Sequence, residues 1–267
     1  MINVVSYNMS WATQVNKVMG SEANFVEACK NTYSQGGFKC TSNAIKNIKT
    51  LPRLDLICIQ EVNSDIEDKI KKVQPSLTHF KRGTVGLSTV STIWNPNAFG
   101  KLTDEYVVDL SKDKNDFRPA LFLVFMKDNE KIVVVNVHMP WFIGEYAKKT
   151  IDKVFKKLKV SNCDKIMMLG DFNDSKTTIH KNRPLSLKKK IKLSLNKNKK
   201  QLKKTLKSCC WHKKGHKYGY FTDTGDYVLV NKNIEQISLE IPKIFKKRGK
   251  LNRLFSDHMP VFSTLKL

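Results

Sequence analysis

The chain has 267 residues, of which 40% are hydrophobic and 9% aromatic, so it can bury a large core as one domain or two small ones. This composition excludes disorder of the chain as a whole. Lys and Arg number 48 against 24 Asp and Glu, and the formal net charge of +24 favours a polyanionic partner, either nucleic acid or an acidic membrane surface.

The opening residues, MINVVSYNMSW, lack the basic region and the cleavage site of a secretory signal. No apolar run approaches the ~20 residues that a membrane span needs. These features predict a soluble intracellular protein, cytoplasmic or nuclear.

The cysteines show no framework spacing, so reduced structural thiols are expected at Cys29, Cys40, Cys58, Cys163, Cys209 and Cys210. A zinc site formed by Cys209, Cys210, His212 and His216 is a weaker alternative to loop packing, because no second cysteine pair accompanies them.

Eight short runs rich in β-branched residues predict strands, at residues 2–7, 54–60, 89–94, 120–125, 131–137, 165–169, 227–230 and 261–265. Several of these runs are apolar on both faces. Helical periodicity lies between them at 41–51, where Thr41 or Ser42 can cap, and at 145–159. Mixed strands and helices over this length predict an α/β layered domain.

One segment, residues 175–222, contains no acidic residue, and roughly one residue in three is Lys or Arg. Leucines and isoleucines near helical spacing within it are compatible with a basic amphipathic helix pair or lid. A solvated surface insertion is the alternative. This uniformly basic segment directly follows residues 171–174, DFND, which carry two carboxylates and an amide, and that position favours contact with substrate. Lys188, Lys189 and Lys190 are candidates for the contact.

Polar side chains follow four of the predicted strands, where the carboxyl ends of strands can converge on a ligand. Asn8 follows the first run, Glu61 the second and His138 the fifth, while Asp171 and Asn173 follow the sixth. Four such cases with this residue set are hard to ascribe to loop chemistry.

Three further residues, Asp226, Asp257 and His258, precede predicted strands. In a mixed sheet an antiparallel strand begins where its parallel neighbours end. These side chains can therefore reach the edge of the sheet where the four predicted strands end, which we call the rim. The combined set is dominated by hard oxygen ligands, which suit Mg²⁺ or Mn²⁺ better than zinc.

The ordered series SYN, QE, NVHMP, GDFN, GDYVLV and SDHMPV resembles the endonuclease/exonuclease/phosphatase superfamily, over nearly the whole chain from Asn8 to Val261. The resemblance implies a DNase I-like, four-layer α/β sandwich of two packed mixed β-sheets flanked by helices. We therefore expect a single domain over 1–267, with a basic insertion at about 175–222. The tract at 209–230 is also similar to members encoded by large DNA viruses.

The resemblance implies hydrolysis of a phosphoester by metal-aided water. It makes Glu61 the principal metal ligand, with Asn8 and Asp257 beside it. Asp171 and Asn173 would position the attacking water and the phosphate.

The same resemblance makes His258, oriented by Asp226, a second base or a phosphate contact, and which group is base and which acid stays open. His138 matches an additional histidine of some members, which pair it with a carboxylate upstream of residue 89, where this chain has no acid between Asp68 and Asp104. Arg118 would touch substrate phosphate, with a surface salt bridge as the alternative.

The charge favours a monomeric nuclease or DNA-end-processing phosphodiesterase acting on DNA or RNA. Aromatic residues of the basic segment would stack on unpaired bases or pack under the loop, namely Trp211, Tyr218, Tyr220 and Phe221. The alternatives are a phosphoinositide phosphatase or sphingomyelinase-like enzyme at an acidic membrane surface, and an inactive nucleic-acid-binding protein.

Overall fold

The structure, a computed structural model, describes residues 1–63, 65–111, 114, 116–140, 145–160, 164–173, 209–214, 218–223, 225–242 and 255–267. Every one of the eight predicted strands is present. Among these residues, no helix combines the length and hydropathy needed to cross a membrane.

The strands form two mixed sheets and a separate hairpin. In chain order they are β1 (Ile2–Asn8), β2 (Leu56–Gln60), β3 (His79–Val85), β4 (Ser88–Trp94), β5 (Lys101–Asp109), β6 (Pro119–Lys127), β7 (Glu130–His138), β8 (Lys165–Asp171), β9 (Cys209–Lys214), β10 (Tyr218–Asp223), β11 (Asp226–Val230), β12 (Glu235–Glu240) and β13 (Val261–Lys266). The first sheet has the order β12-β13-β1-β2-β4-β3, the second has the order β11-β8-β7-β6-β5, and β9 pairs with β10.

The helices lie outside the sheets. They are α1 (Trp11–Gln14), α2 (Ala23–Thr32), α3 (Gly37–Ile48), α4 (Ile66–Val73), α5 (Pro96–Phe99) and α6 (Glu145–Lys157), and a 3-10 turn spans Gly20–Glu22. The predicted helices at 41–51 and 145–159 correspond to α3 and α6. The predicted cap is wrong, because α3 begins at Gly37 and Thr41 and Ser42 lie inside it.

The core is divided into three apolar layers by the alternation of side chains along the central strands. In β1, Val4 lies between the two sheets, whereas Val5 lies on the outer face beside α3 and α4. In β7, Val134 faces the first sheet and Val135 faces α6. Because both faces of these strands are covered, apolar residues occupy successive positions in them, at 4–5 in β1 and at 132–135 in β7. The predicted four-layer sandwich of two mixed sheets flanked by helices is confirmed.

The strands absent from the prediction include β3, β5 and β12, which are edge strands with mostly exposed or half-buried side chains. An edge strand needs no continuous apolar face, so its sequence carries little strand signal. The hairpin β9–β10 falls in the basic segment. Lys188, Lys189, Lys190 and the expected amphipathic helix pair lie outside the described residues, as do the side chains proposed for zinc or base stacking.

The expectation that the cysteines are reduced is wrong for one pair. Cys29 of α2 and Cys40 of α3 form a disulfide, with their Cα atoms 6.3 Å apart. The two residues face each other only because α2 packs against α3, which their spacing in the sequence does not indicate. Cys58 is a buried free thiol, as expected.

Gly170 provides a test of how closely β7 and β8 must approach beneath the rim. Its φ is +151°, and a Cβ added there would lie 2.0 Å from the carbonyl oxygen of Val137. Gly170→Ala should therefore lower the free energy of unfolding by more than the ~1 kcal/mol expected from backbone strain alone. Gly20→Ala is the control, because Gly20 has a φ of +57° but no neighbouring atom within 4 Å. Equal losses in urea unfolding would contradict the close approach.

Candidate active site

The registers of the strands bring the predicted site residues to one end of the sandwich. In the parallel pair β1–β2, Asn8 lies opposite Gln60, and Glu61 follows directly. In the parallel pair β7–β8, His138 lies opposite Asp171. The antiparallel strand β11 begins at Asp226, which also lies opposite Asp171. The expectation that residues preceding antiparallel strands reach this rim is confirmed for Asp226.

Asn8 joins the two sheets at the centre of this rim. Its Nδ2 donates to Glu61 Oε1 at 2.9 Å and to Asp171 Oδ2 at 3.1 Å. Its Oδ1 accepts from the Ser10 N–H at 3.1 Å, which fixes the plane of the amide. A fully buried neutral donor thus separates two carboxylates that would otherwise repel each other.

Glu61 is held by the first helix. Its φ is +58°, and its Oε2 accepts from the Trp11 N–H at 3.0 Å. Gln14 bridges the turn, because its Nε2 donates to Glu61 O at 2.7 Å and its Oε1 accepts from Asn63 N at 2.7 Å. Burial raises the pKa of Glu61, but His138, Asn8 and the Trp11 N–H outweigh it and lower the pKa, which favours the carboxylate.

His258 lies between two buried aspartates. Its Nδ1 is 3.0 Å from Asp226 Oδ2, and its Nε2 is 3.7 Å from Asp171 Oδ2. Burial lowers the pKa of His258, but Asp226, Asp171 and Asp257 outweigh it and raise the pKa well above its ordinary value. The Nδ1–Asp226 contact holds the imidazole ring of His258 against the start of β11.

Asp171 and Asn173 are tied to each other by the turn after β8. The Asn173 N–H donates to Asp171 Oδ1 at 2.8 Å, and its Nδ2 donates to the carbonyl of Met139 at 2.7 Å. Burial raises the pKa of Asp171. The φ of Asn173 is +44°, a conformation that asparagine tolerates better than most residues.

His138 has a different set of partners from the one that the sequence suggested. Its Nε2 accepts from Arg118 Nη1 at 2.6 Å and lies 3.7 Å from Glu61 Oε1, and its Nδ1 lies 3.4 Å from Ser88 Oγ. The upstream carboxylate beside His138 is thus that of Glu61, and a serine lies at Nδ1. Burial lowers the pKa of His138 to about 4, with Arg118 acting in the same direction. Arg118 also donates from Nε to Asp116 Oδ1 at 2.5 Å. Its guanidinium thus contacts the rim through His138 and forms a salt bridge with Asp116.

Two acidic groups complete the side of the rim near Glu61. Asp257 lies beside Ser256, whose Oγ donates to the carbonyl of Asn8 at 2.8 Å, and burial raises the pKa of Asp257 to about 6. Glu22, which no sequence motif marks, accepts a hydrogen bond from Ser10 Oγ, and burial and the charges of Glu61 and Asp257 raise its pKa to about 10. Only the folding of the chain around α1 brings Glu22 here.

The donor atoms at this rim fit a divalent cation. Within the described residues, Asp171, Asp226 and His258 present ligand atoms that all lie within 4.8 Å of one another. Glu61, Asp257 and Glu22 form a second acidic group: the charges of Glu61 and Asp257 raise the pKa of Glu22, and the charge of Glu61 raises the pKa of Asp257. Carboxylate oxygens predominate in both groups, as Mg²⁺ and Mn²⁺ prefer.

Solved structures with the same architecture cover the chain from end to end. TDP2 of D. rerio, in complex with a single-strand DNA product, is 13% identical and matches with a TM-score of 0.63 over 100% of this chain and 99% of its own. The mannosyl-6-phosphatase of Bacteroides thetaiotaomicron is 15% identical, with a TM-score of 0.65 and full coverage of both chains. An endonuclease/exonuclease/phosphatase of Bacteroides vulgatus is 16% identical, with a TM-score of 0.59 over 100% of this chain and 98% of its own.

The chain has the DNase I-like fold. No protein-family model matches the sequence, and no curated protein matches it by sequence comparison. The structural neighbours therefore support the fold that the six short motifs predict, at identities too low to carry over a particular activity.

Asn8→Asp tests whether a neutral donor is required between the carboxylates. The substitution replaces the amide that bonds Glu61 and Asp171 with a third acid, so we expect it to lower the free energy of unfolding by at least ~2 kcal/mol in the absence of divalent cations. Asn24→Asp, on the exposed face of α2, is the control and should change stability by less than ~0.5 kcal/mol. Chemical denaturation of both variants without metal measures the difference. Equal stabilities would mean that the amide does not separate these charges.

Proposed function

We propose that the protein is a Mg²⁺- or Mn²⁺-dependent phosphoesterase that cleaves phosphodiester bonds in nucleic acid, as a nuclease or a DNA-end-processing phosphodiesterase. One observation carries the proposal. The Asp226–His258 pair faces Asp171, and Asn8 links Asp171 to Glu61 on the same rim. Groups able to move protons therefore lie beside groups able to hold a cation.

Under this proposal, Asp171 orients the attacking water and accepts its proton, since it lies between the imidazole of His258 and the amide of Asn8. Asn173 fixes the carboxylate of Asp171 through its backbone N–H. His258 contacts a phosphate oxygen through Nε2, while Asp226 holds its ring through Nδ1. A proton-transfer group positioned in this way contributes about 10²–10⁴-fold to a rate.

The acidic side of the rim would hold the cation through Glu61 and Asp257, with Asn8 beside them. When bound there, Mg²⁺ or Mn²⁺ would polarise the phosphoryl group and lower the pKa of a water molecule. His138 lies 3.7 Å from Glu61 and accepts a hydrogen bond from Arg118, whose guanidinium would stabilise negative charge on the non-bridging oxygens.

The charge of the chain supports nucleic acid as the substrate. The formal net charge is +24, and residues 175–222, which supply sixteen of the basic side chains, begin just after the turn that carries Asp171. Lys188, Lys189 and Lys190 are proposed to contact phosphates. TDP2 in complex with single-strand DNA is a structural neighbour, which supports the same substrate class.

A sugar phosphate is the second candidate substrate, because a mannosyl-6-phosphatase shares this fold over its full length. Its small monoester would have little use for an extended basic segment. A lipid phosphoester is a further alternative, because the basic side chains of residues 175–222 would also be attracted to an acidic membrane surface. The assay below separates a lipid substrate from a nucleic acid.

The test is turnover in Mg²⁺ of labelled duplex DNA, single-stranded DNA, RNA, a phosphoinositide, sphingomyelin and mannose 6-phosphate. We expect cleavage of a nucleic acid, and we expect Asp226→Asn to reduce the rate by at least ~10²-fold because His258 loses its orienting carboxylate. The control is Asp55→Asn. Asp55 is also buried and bonded, to Asn3 N at 3.1 Å and Asn95 Nδ2 at 3.0 Å, but at the opposite end of the strands.

Each outcome of this assay has a distinct meaning. Equal losses in the two Asp variants, measured per folded molecule, would contradict the role of Asp226. Turnover of a lipid alone or of the sugar phosphate alone would overturn the nucleic-acid assignment. Salt-sensitive binding of nucleic acid without any turnover would identify an inactive binding protein.

A further inference from the structure

The guanidinium of Arg118 is fixed at the rim by two different side chains. Its Nε donates to Asp116 Oδ1 at 2.5 Å, and its Nη1 donates to His138 Nε2 at 2.6 Å. Among the atoms that the structure describes, the third nitrogen, Nη2, has no hydrogen-bond partner. The Arg118 side chain is 16% exposed, so a ligand can still reach it. Two nitrogens are therefore anchored, and one remains for a ligand.

The backbone on either side of Asp116 is held by contacts that do not use its carboxylate. The Arg118 N–H donates to Ser111 Oγ at 3.0 Å. Phe117 packs on the turn between β3 and β4 so closely that a Cβ on Gly86 would lie 2.1 Å from the Phe117 ring. Because these contacts already fix the segment before β6, the Asp116 carboxylate acts mainly on the Arg118 guanidinium.

The charge of Asp116 is unfavourable for a site that binds phosphate, unless the carboxylate has another use. On charge alone, a carboxylate next to the Arg118 guanidinium repels an anionic substrate and weakens the field of the arginine. A long arginine side chain, however, loses conformational entropy when it is fixed on a phosphate. An anchor that fixes the side chain beforehand removes this cost from binding. Orientation of Arg118 is thus the use that the geometry supports.

We propose that Asp116 is a positioning residue, which orients the Arg118 guanidinium so that Nη2 can donate to a phosphate oxygen of the substrate. This inference rests on the proposed function, because it assumes that a phosphoester binds at the rim. It also unites the two roles that the sequence left open for Arg118. The salt bridge with Asp116 is the means by which the arginine is held for the phosphate.

The experiment measures kcat and KM of the full-length protein in Mg²⁺, on bis(p-nitrophenyl) phosphate and on a labelled single-stranded DNA oligonucleotide. Asp116→Ala should lower kcat/KM at least about tenfold, because the guanidinium is no longer held in place. The direction of the change is informative. Loss of a negative charge that had no positioning role would raise kcat/KM for an anionic substrate.

Asp109→Ala is the matched control. Asp109 lies on the same connection between β5 and β6, where its Oδ1 accepts from the Ser111 N–H at 2.8 Å, and its side chain is exposed. The variant undergoes the same chemical change and loses a bond that orders this connection. We expect its kcat/KM to equal that of the unaltered protein.

A double-mutant cycle with Arg118→Ala separates positioning from a structural role. Asp116→Ala should cause no further loss of kcat/KM when Arg118 is already absent, because the carboxylate then has no guanidinium to orient. Asp116→Asn keeps the test decisive if Asp116→Ala folds poorly. Its Oδ1 can still accept from Nε, so its kcat/KM should lie between those of Asp116→Ala and the unaltered protein. Thermal unfolding of each variant gives the folded fraction.

The outcomes distinguish failure of this inference from failure of the proposed function. If the unaltered protein turns over either substrate and Asp116→Ala is unaffected or faster, Asp116 is not a positioning residue. Losses that multiply in the double mutant would contradict the inference in the same way, as would full activity in Arg118→Ala. If the unaltered protein hydrolyses neither substrate, the proposed function fails together with the inference.

Discussion

Repulsion among buried acidic side chains is the constraint on which this end of the molecule depends. Glu61, Asp171 and Asp257 come from three different strand ends, and Glu22 adds a fourth carboxyl group. Low dielectric surroundings strengthen their repulsion. The amide of Asn8 and the imidazole of His258 offset part of it. A divalent cation would offset this repulsion more completely. The free energy of folding at the rim is therefore linked to cation binding.

The sandwich supplies the rigidity that such an arrangement needs. Gln60 Nε2 donates to Asn136 Oδ1 at 2.7 Å, and both side chains are fully buried between the sheets. This bond joins β2 and β7 one or two residues before Glu61 and His138. The Asn136 amide also donates to the carbonyl of Ser91 at 2.8 Å, so three strands are connected under the rim. Positional precision is what proton transfer and metal binding require of a scaffold.

The central strands and most of the rim could be predicted because both carry strong local signals. Apolar residues on both faces mark buried strands such as β7, and a polar residue at each strand end marks the rim. Edge strands such as β3 carry no such pattern. Glu22 and the Cys29–Cys40 pair could not be predicted, since only the packing of α1, α2 and α3 brings them to their partners. Ser88 was not predicted as a neighbour of His138 because the sequence was searched only for an acidic partner of that histidine.

The most direct measurement is anomalous diffraction at the manganese edge from crystals of the protein grown with Mn²⁺. A cation held at the end of the sandwich would give a peak within coordination distance of the carboxylates of Glu61 and Asp257. Ordered acidic side chains with no peak among them would contradict a metal site at this end of the sandwich. A peak confined to the surface, or to the opposite end of the strands near Asp55, would contradict that site equally.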